Sequence, residues 1–158
     1  MGKKQNRELV IRTAGEADLD SILQIEERCY PDPWERETFR EILAAGVFAV
    51  SCAQLNGRVV GFFVCRYSRE GWAELSNLAV DPDFHNRGFG GLLLDEFMLL
   101  GVAKGCLLFV LQVRPGNISA RRLYEARGFR VEKRLPGYYA DGEDALLMIC
   151  RLHPSPAN

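Results

Sequence analysis

Val80-Asp81-Pro82-Asp83-Phe84-His85-Asn86-Arg87-Gly88-Phe89-Gly90-Gly91 joins a strand end, a short loop and a glycine-punctuated helix start. Before it, Trp72 to Val80 reads as a strand that Asp81-Pro82 ends. After it, an apolar-faced helix runs to about Lys104 and is closed by Gly105. A helix N-terminus presents unpaired N–H groups and about half a positive charge, an arrangement that takes phosphate directly. Glycine at 88 and 90 leaves out the Cβ atoms that would keep a pyrophosphate off the backbone. Asn86 and Arg87 add polar and cationic character. A Walker A loop ends in Lys then Ser or Thr, and neither is here. A dinucleotide fingerprint wants a third glycine at position 93, which is Leu93, and a turn near the start of a parallel sheet. Two readings remain from the residues: a phosphate-binding turn, or a tight strand–helix connection.

Outward from this segment the chain alternates elements. Leu9-Val10-Ile11 reads as a first strand. A helix follows, with Leu19, Ile22, Leu23 and Ile25 at helical spacing and Glu16 and Asp18 in its first turn. Pro31, Pro33 and Trp34 break it, and a second helix runs from about Glu35 to Ala44, stopping at Gly46. Val47–Leu55 and Val59–Tyr67 read as strands joined by Asn56-Gly57, a strong hairpin signal. On the far side, Cys106–Val113 is a continuous apolar run that suits a fully buried strand. A helix from Asn117 through Ala126, capped by Gly128, and strands over Phe129–Leu135 and Ala145–Leu152 complete the chain. The order predicts a mixed α+β fold: antiparallel strands first, then a strand–helix–strand crossover that implies parallel pairing.

With 158 residues, 47% of them hydrophobic, the chain predicts one compact domain with its core over about residues 8–152 and a loose tail at 153–158. The formal net charge of -1 gives no basic stripe for nucleic acid, and Lys3, Lys4 and Arg7 read as a solvated tail. Five cysteines (Cys29, Cys52, Cys65, Cys106, Cys150) occur without a Cys-x-x-Cys pair, and four of them sit among apolar neighbours, which predicts buried thiols in a reducing cytosol rather than a disulfide framework or a zinc site. His85 and His153 offer no metal-ligand spacing, so no metal is expected. No signal peptide is visible, and Asp95, Glu96 and Lys104 interrupt the most apolar stretch. A soluble, cytoplasmic protein without a membrane segment is the expectation.

His85-Asn86-Arg87-Gly88-Phe89-Gly90 resembles the Gln/Arg-x-x-Gly-x-Gly/Ala signature with which the GNAT superfamily of N-acetyltransferases binds the pyrophosphate of acetyl-CoA. Leu75 to Pro82 resembles the strand that pairs with pantetheine in that family. Leu111-Gln112-Val113-Arg114-Pro115-Gly116-Asn117, Ala120-Arg121-Arg122-Leu123-Tyr124-Glu125 and Gly128-Phe129 are similar to the second half of its site. Gly137-Tyr138-Tyr139-Ala140-Asp141-Gly142-Glu143-Asp144-Ala145 and the Pro33-Trp34 loop resemble the RimI-type and archaeal N-terminal acetyltransferases. The resemblance covers about residues 9–152 and implies the GNAT fold: a central, mostly antiparallel twisted sheet with a splayed parallel strand pair, flanked by helices. Two positions depart from it. His85 stands where Gln or Arg is usual, and Gln112 stands where a glutamate general base precedes Val-Arg.

The resemblance implies acetyl-CoA as co-substrate, bound by Leu78, Ala79, Val80, Asn86, Arg87, Gly88, Phe89, Gly90, Gly91 and Asn117. It implies a protein or peptide N-terminus as acceptor, gripped by Pro33, Trp34, Tyr138 and Tyr139, with transfer by direct attack in a ternary complex. Tyr124 is placed beside the sulfur as proton donor. For the base we choose Glu74, which shares a strand face with Ser76, Leu78 and Val80. The histone acetyltransferases carry their glutamate at the equivalent place. Each residue has a bland reading too: Tyr124 a core tyrosine, Glu74 a solvated edge carboxylate, Trp34 and the tyrosines core caps, Asn117 a helix cap. An α-amine, with pKa about 7.7–8, is already partly neutral in the cell, whereas lysine near 10.4 needs about 2.5 units more help, which favours the α-amine. Acetylation of lysine, a polyamine or an aminoglycoside, and an acyl-CoA sensor made inert by Gln112, are the competing readings.

Overall fold

The computed structural model describes residues 9–154 and 156. The basic residues Lys3, Lys4 and Arg7, and Ser155, Ala157 and Asn158 of the expected tail, lie outside the described residues. The strands are β1 (Leu9–Thr13), β2 (Ala49–Leu55), β3 (Arg58–Tyr67), β4 (Trp72–Val80), β5 (Leu108–Val113), β6 (Arg130–Leu135) and β7 (Ala145–Arg151). The helices are α1 (Leu19–Cys29), α2 (Arg36–Ala45), α3 (Phe89–Ala103) and α4 (Ile118–Ala126). The sheet order is β1-β2-β3-β4-β5-β7-β6. β4 and β5 are parallel, while β1/β2, β5/β7 and β6/β7 are antiparallel. The parallel ladder covers Trp72↔Leu108 to Leu75↔Leu111, whereas β4 goes on to Val80 and β5 to Val113.

The described residues form two compact units, one of residues 9–64 with 77–96, the other of 65–76 with 97–154 and 156. In the first, the expected Asn56-Gly57 hairpin is present. Both residues have positive φ (50° and 83°), as a primed two-residue turn requires. The core of this unit gathers Leu19, Ile22 and Ile25 of α1, Phe39 and Ile42 of α2, and Val50, Phe62 and Val64 of β2 and β3. Phe39 stands edge-on to Phe62, ring centroids 5.8 Å apart, and Trp34 packs on Phe39 at 5.5 Å. Gly61 is required here for space: a Cβ would sit 2.9 Å from the Ala79 carbonyl oxygen and 2.9 Å from Leu93.

In the second unit Phe97 and Phe109 meet edge-on at 5.5 Å, and Leu75, Leu111, Val113, Phe129 and Met148 are buried. Cys52, Cys65, Cys106 and Cys150 are buried free thiols, and Cys29 is half-buried.

Several expected boundaries are corrected. Glu16 and Asp18 lie in a separate 3-10 turn, and α1 starts at Leu19. Val47 is 63% exposed and precedes β2. The strand expected from Cys106 begins at Leu108, because Cys106 closes the α3 turn with a bond to the Gly101 carbonyl (2.8 Å). It is not buried on both faces either: Phe109, Leu111 and Val113 are buried, while Leu108, Val110 and Gln112 on the other face are half-buried.

Candidate active site

In the first unit, the loop after β4 is built on Asp81. Its carboxylate is buried and accepts from the Asp83 N–H (2.9 Å), from Arg28 (2.6 Å) and from Arg58 (3.1 Å). Arg58 and Arg87 both lie over the Phe84 ring, 5.0 and 5.1 Å from its centroid. His85 is at the position where the resembling signature has Gln or Arg. Its Nε2 lies 2.6 Å from the Val80 carbonyl oxygen, so it carries the proton and donates back to the strand end. Asn86 and Gly88 take positive φ, 61° and 82°, which turns the chain into α3. Nothing lies within 4 Å of a Cβ built at Gly88, so its backbone conformation, rather than space, demands glycine there.

Residues 85–88 are exposed at the N-terminus of a 15-residue helix, beside the Arg87 cation. Open backbone, a helix start and a cation together fit a pyrophosphate. On β4, the Leu78 carbonyl accepts from the Tyr30 hydroxyl, and the Val80 carbonyl also accepts from the Cys29 thiol (3.2 Å). Burial is the main reason that this thiol is pushed up to about 11. Ala79 is buried, and Phe89, Gly90 and Gly91 form the first turn of α3.

Nothing in the sequence marks Glu26 as special, yet it lies 2% exposed on the inner face of α1. Its carboxylate accepts from the Trp34 N–H (3.1 Å) and from Asn77 Nδ2 (2.8 Å). Burial pushes it above the usual carboxylate range, partly opposed by those two bonds. Pro33 and Trp34 are half-buried, and the Trp34 ring packs against the core.

In the second unit the remaining candidates converge. Glu74 on β4 accepts from Arg66 at 2.8 Å and from Gln112 Nε2 at 3.4 Å. Tyr138 is half-exposed, its hydroxyl pushed up by burial and then by the Glu74 charge. Its ring stands edge-on to Tyr139 at 5.0 Å. Tyr139 is stacked under the Arg114 guanidinium at 4.0 Å. Arg114 in turn holds Asp141 (2.9 Å) and Glu143 (2.5 Å), and Arg134 holds Asp144 (2.6 Å). Tyr124 on α4 is buried against Phe129. Burial, then the neighbouring Tyr139, raises its hydroxyl well above the usual tyrosine value. Asn117 caps α4, its side-chain oxygen accepting from the Ala120 N–H at 3.2 Å. The signals for Arg66 and Arg114 were in the sequence only as charges. Their partners are set by the fold.

The acetyltransferase (GNAT) family pattern matches residues 19–129. The chain belongs to this family. As a GNAT enzyme it is an acetyl-CoA-dependent N-acetyltransferase, and its mixed sheet has the family's fold. It is 33% identical over 134 residues to the [ribosomal protein bS18]-alanine N-acetyltransferase of Escherichia coli, covering 83% of this chain and 89% of the relative. It is 32% identical to an N-alpha-acetyltransferase of Sulfurisphaera tokodaii, covering 94% and 96%. The crystal structure of Ard1 from Thermoplasma volcanium matches with a TM-score of 0.85 and 28% identity, over 92% of this chain and 99% of that one. Among the described residues of this GNAT enzyme no helix is long and apolar enough to cross a membrane. Nor does any group of three His, Cys, Asp or Glu residues converge as metal ligands.

Proposed function

We propose that the enzyme acetylates the N-terminal α-amino group of a protein or peptide, by direct attack in a ternary complex. The observation that carries this is the state of the loop over residues 137–144. Asp141 and Glu143 share Arg114 and Asp144 pairs with Arg134, which leaves one net negative charge among these five groups and makes this acidic run a poor trap for a polycation. It is a stapled loop that presents Tyr138 and Tyr139, whose hydroxyls suit hydrogen bonding to a peptide backbone. Relatives named for alanine N-acetylation and N-alpha-acetylation support the same reading.

Acetyl-CoA, when bound, supplies the thioester carbonyl that the amine attacks. Asn86, Arg87, Gly88, Phe89, Gly90 and Gly91 hold its pyrophosphate, and Leu78, Ala79 and Val80 align its pantetheine arm through their backbone. Asn117, besides capping α4, is assigned to that arm too. Glu74, oriented by Arg66 and Gln112, takes the amine's proton directly or through water. Tyr124 stays protonated at neutral pH because burial raises it. A thiol has a pKa of about 8.5 and even an unshifted tyrosine about 10, so Tyr124 acts mainly as a hydrogen-bond donor to the departing sulfur. Pro33, Trp34, Tyr138 and Tyr139 position the acceptor.

Initial rates with acetyl-CoA against peptides with a free N-terminus, a polyamine and an aminoglycoside test this reading. Transfer to peptides, with intersecting double-reciprocal lines, is expected. Transfer to the polyamine or aminoglycoside alone would overturn it.

A further inference from the structure

Glu26 is a buried carboxylate that the chemistry above does not use. Its two hydrogen-bond donors, the Trp34 N–H and Asn77 Nδ2, are both uncharged. Burying a carboxylate against neutral donors is costly, and an apolar side chain of similar size often fits a core better. Burial outweighs the two bonds here, since the group is pushed above the usual carboxylate range. The carboxylate therefore needs a reason other than packing, and its partners supply one. Trp34 lies in the loop between α1 and α2, immediately before the cap residue Glu35. Asn77 lies on β4 next to Leu78, whose carbonyl accepts from Tyr30 at the end of α1. Each Glu26 oxygen takes one donor, so a single side chain fixes the loop's backbone and the edge of β4 to the same helix. The Trp34 ring is seated independently, on Phe39 at 5.5 Å.

We infer that Glu26 and Asn77 are positioning residues that set the acceptor-binding loop over Pro33–Trp34 against β4. This rests on the reading of that loop as acceptor-binding. Trp34 takes part through its backbone N–H, and its indole packs against the core. Charge is required at only one end of the Glu26–Asn77 pair, so the pair is reversible in principle.

The test uses Asn77→Asp and the double variant Glu26→Gln/Asn77→Asp. The single variant sets two carboxylates against each other, and all measurements are made at about pH 9, where sharing one proton between them, which would keep the tie, is least favoured. In the double variant the amide introduced at 26 donates to the carboxylate introduced at 77 and still accepts from the Trp34 N–H. KM for acetyl-CoA and for the acceptor amine that the native enzyme uses, whichever amine that is, are measured separately. Loss of a hydrogen bond to a charged group predicts that Asn77→Asp raises acceptor KM about tenfold or more, with acetyl-CoA KM changed less than about twofold. The double variant returns acceptor KM to within about threefold of native. Hydrogen exchange at the Trp34 amide follows the same order, protected in the native and double proteins and fast in the single variant, and it reads the tie without turnover. A double variant as impaired as the single one, a parallel rise in both KM values, or unchanged Trp34 protection in Asn77→Asp would each overturn the inference. A native enzyme that prefers lysine over an α-amine would overturn the proposed acceptor class and leave this comparison intact.

Discussion

At the scale of single residues the account turns on Tyr124, Glu74 and Gln112. Tyr124→Phe keeps the ring that packs on Phe129 and removes the hydroxyl. Its kcat is expected to fall about 100-fold with acetyl-CoA affinity held within about twofold, measured by steady-state rates and calorimetry. An unchanged kcat would take Tyr124 out of the chemistry. Gln112 raises a sharper question, because it stands where the RimI-type enzymes that the chain resembles carry a glutamate base, and it donates to Glu74 at 3.4 Å. The two heads are close enough for the carboxylate to work from either strand. Glu74→Gln is expected to lose about 100-fold in kcat, and Glu74→Gln/Gln112→Glu to regain at least about tenfold of it. Gln112→Glu alone places two carboxylates side by side, which disfavours ionising both, so the ascending limb of its pH–rate profile moves to higher pH. Failure of the exchanged pair to regain activity would show that the proton leaves by another route.

Elements decide how much of this was readable in advance. Local signals carried well: Asn56-Gly57 marks its hairpin, and Gly105 and Gly128 follow α3 and α4 with positive φ. The glycine-punctuated turn before α3 and the strand–helix–strand crossover were legible because turn and helix chemistry act over a few residues. The Cys106–Val113 run misled because leucines and valines fill both faces of β5 while only one is fully buried. Glu26 was invisible for another reason. In sequence it is one of several charged residues on an amphipathic helix, and its partner Asn77 is 51 residues away. Likewise Gln112 meets Glu74 across 38 residues, and Arg114 meets Asp141 across 27. Sequence therefore supplied most of the candidate residues, and the fold supplied the couplings between them. The loop over 137–144 shows what such a coupling does. Arg114 braces it through two carboxylates and the Tyr139 ring. Arg114→Ala leaves Asp141 and Glu143 to repel one another and frees Tyr139. Acceptor KM is expected to rise about tenfold with acetyl-CoA affinity unchanged. Equal losses for both substrates would mean that the loop does not sort them.

For the whole molecule, stability and specificity are separable. Arg12 holds the Asp18 carboxylate through two bonds (2.9 and 2.8 Å), and the same carboxylate accepts from the Gly15 N–H. The bond to Arg12 keeps Asp18 below its ordinary value of 3.8. A depressed carboxylate adds stability above its unfolded pKa and loses it as pH falls through the folded one. Asp18→Asn should therefore lower Tm by about 2–4 °C at pH 7, with the difference shrinking as acid protonates the carboxylate of the native protein. An equal loss at every pH would trace the effect to packing instead. The central claim concerns which amine is acetylated, and one peptide tests it most directly: a free N-terminal alanine with a single internal lysine, incubated with the enzyme and acetyl-CoA and sequenced by tandem mass spectrometry. The account predicts the acetyl group on the α-nitrogen of the first residue and an unmodified lysine. An acetyl group on the lysine with a free N-terminus would contradict it.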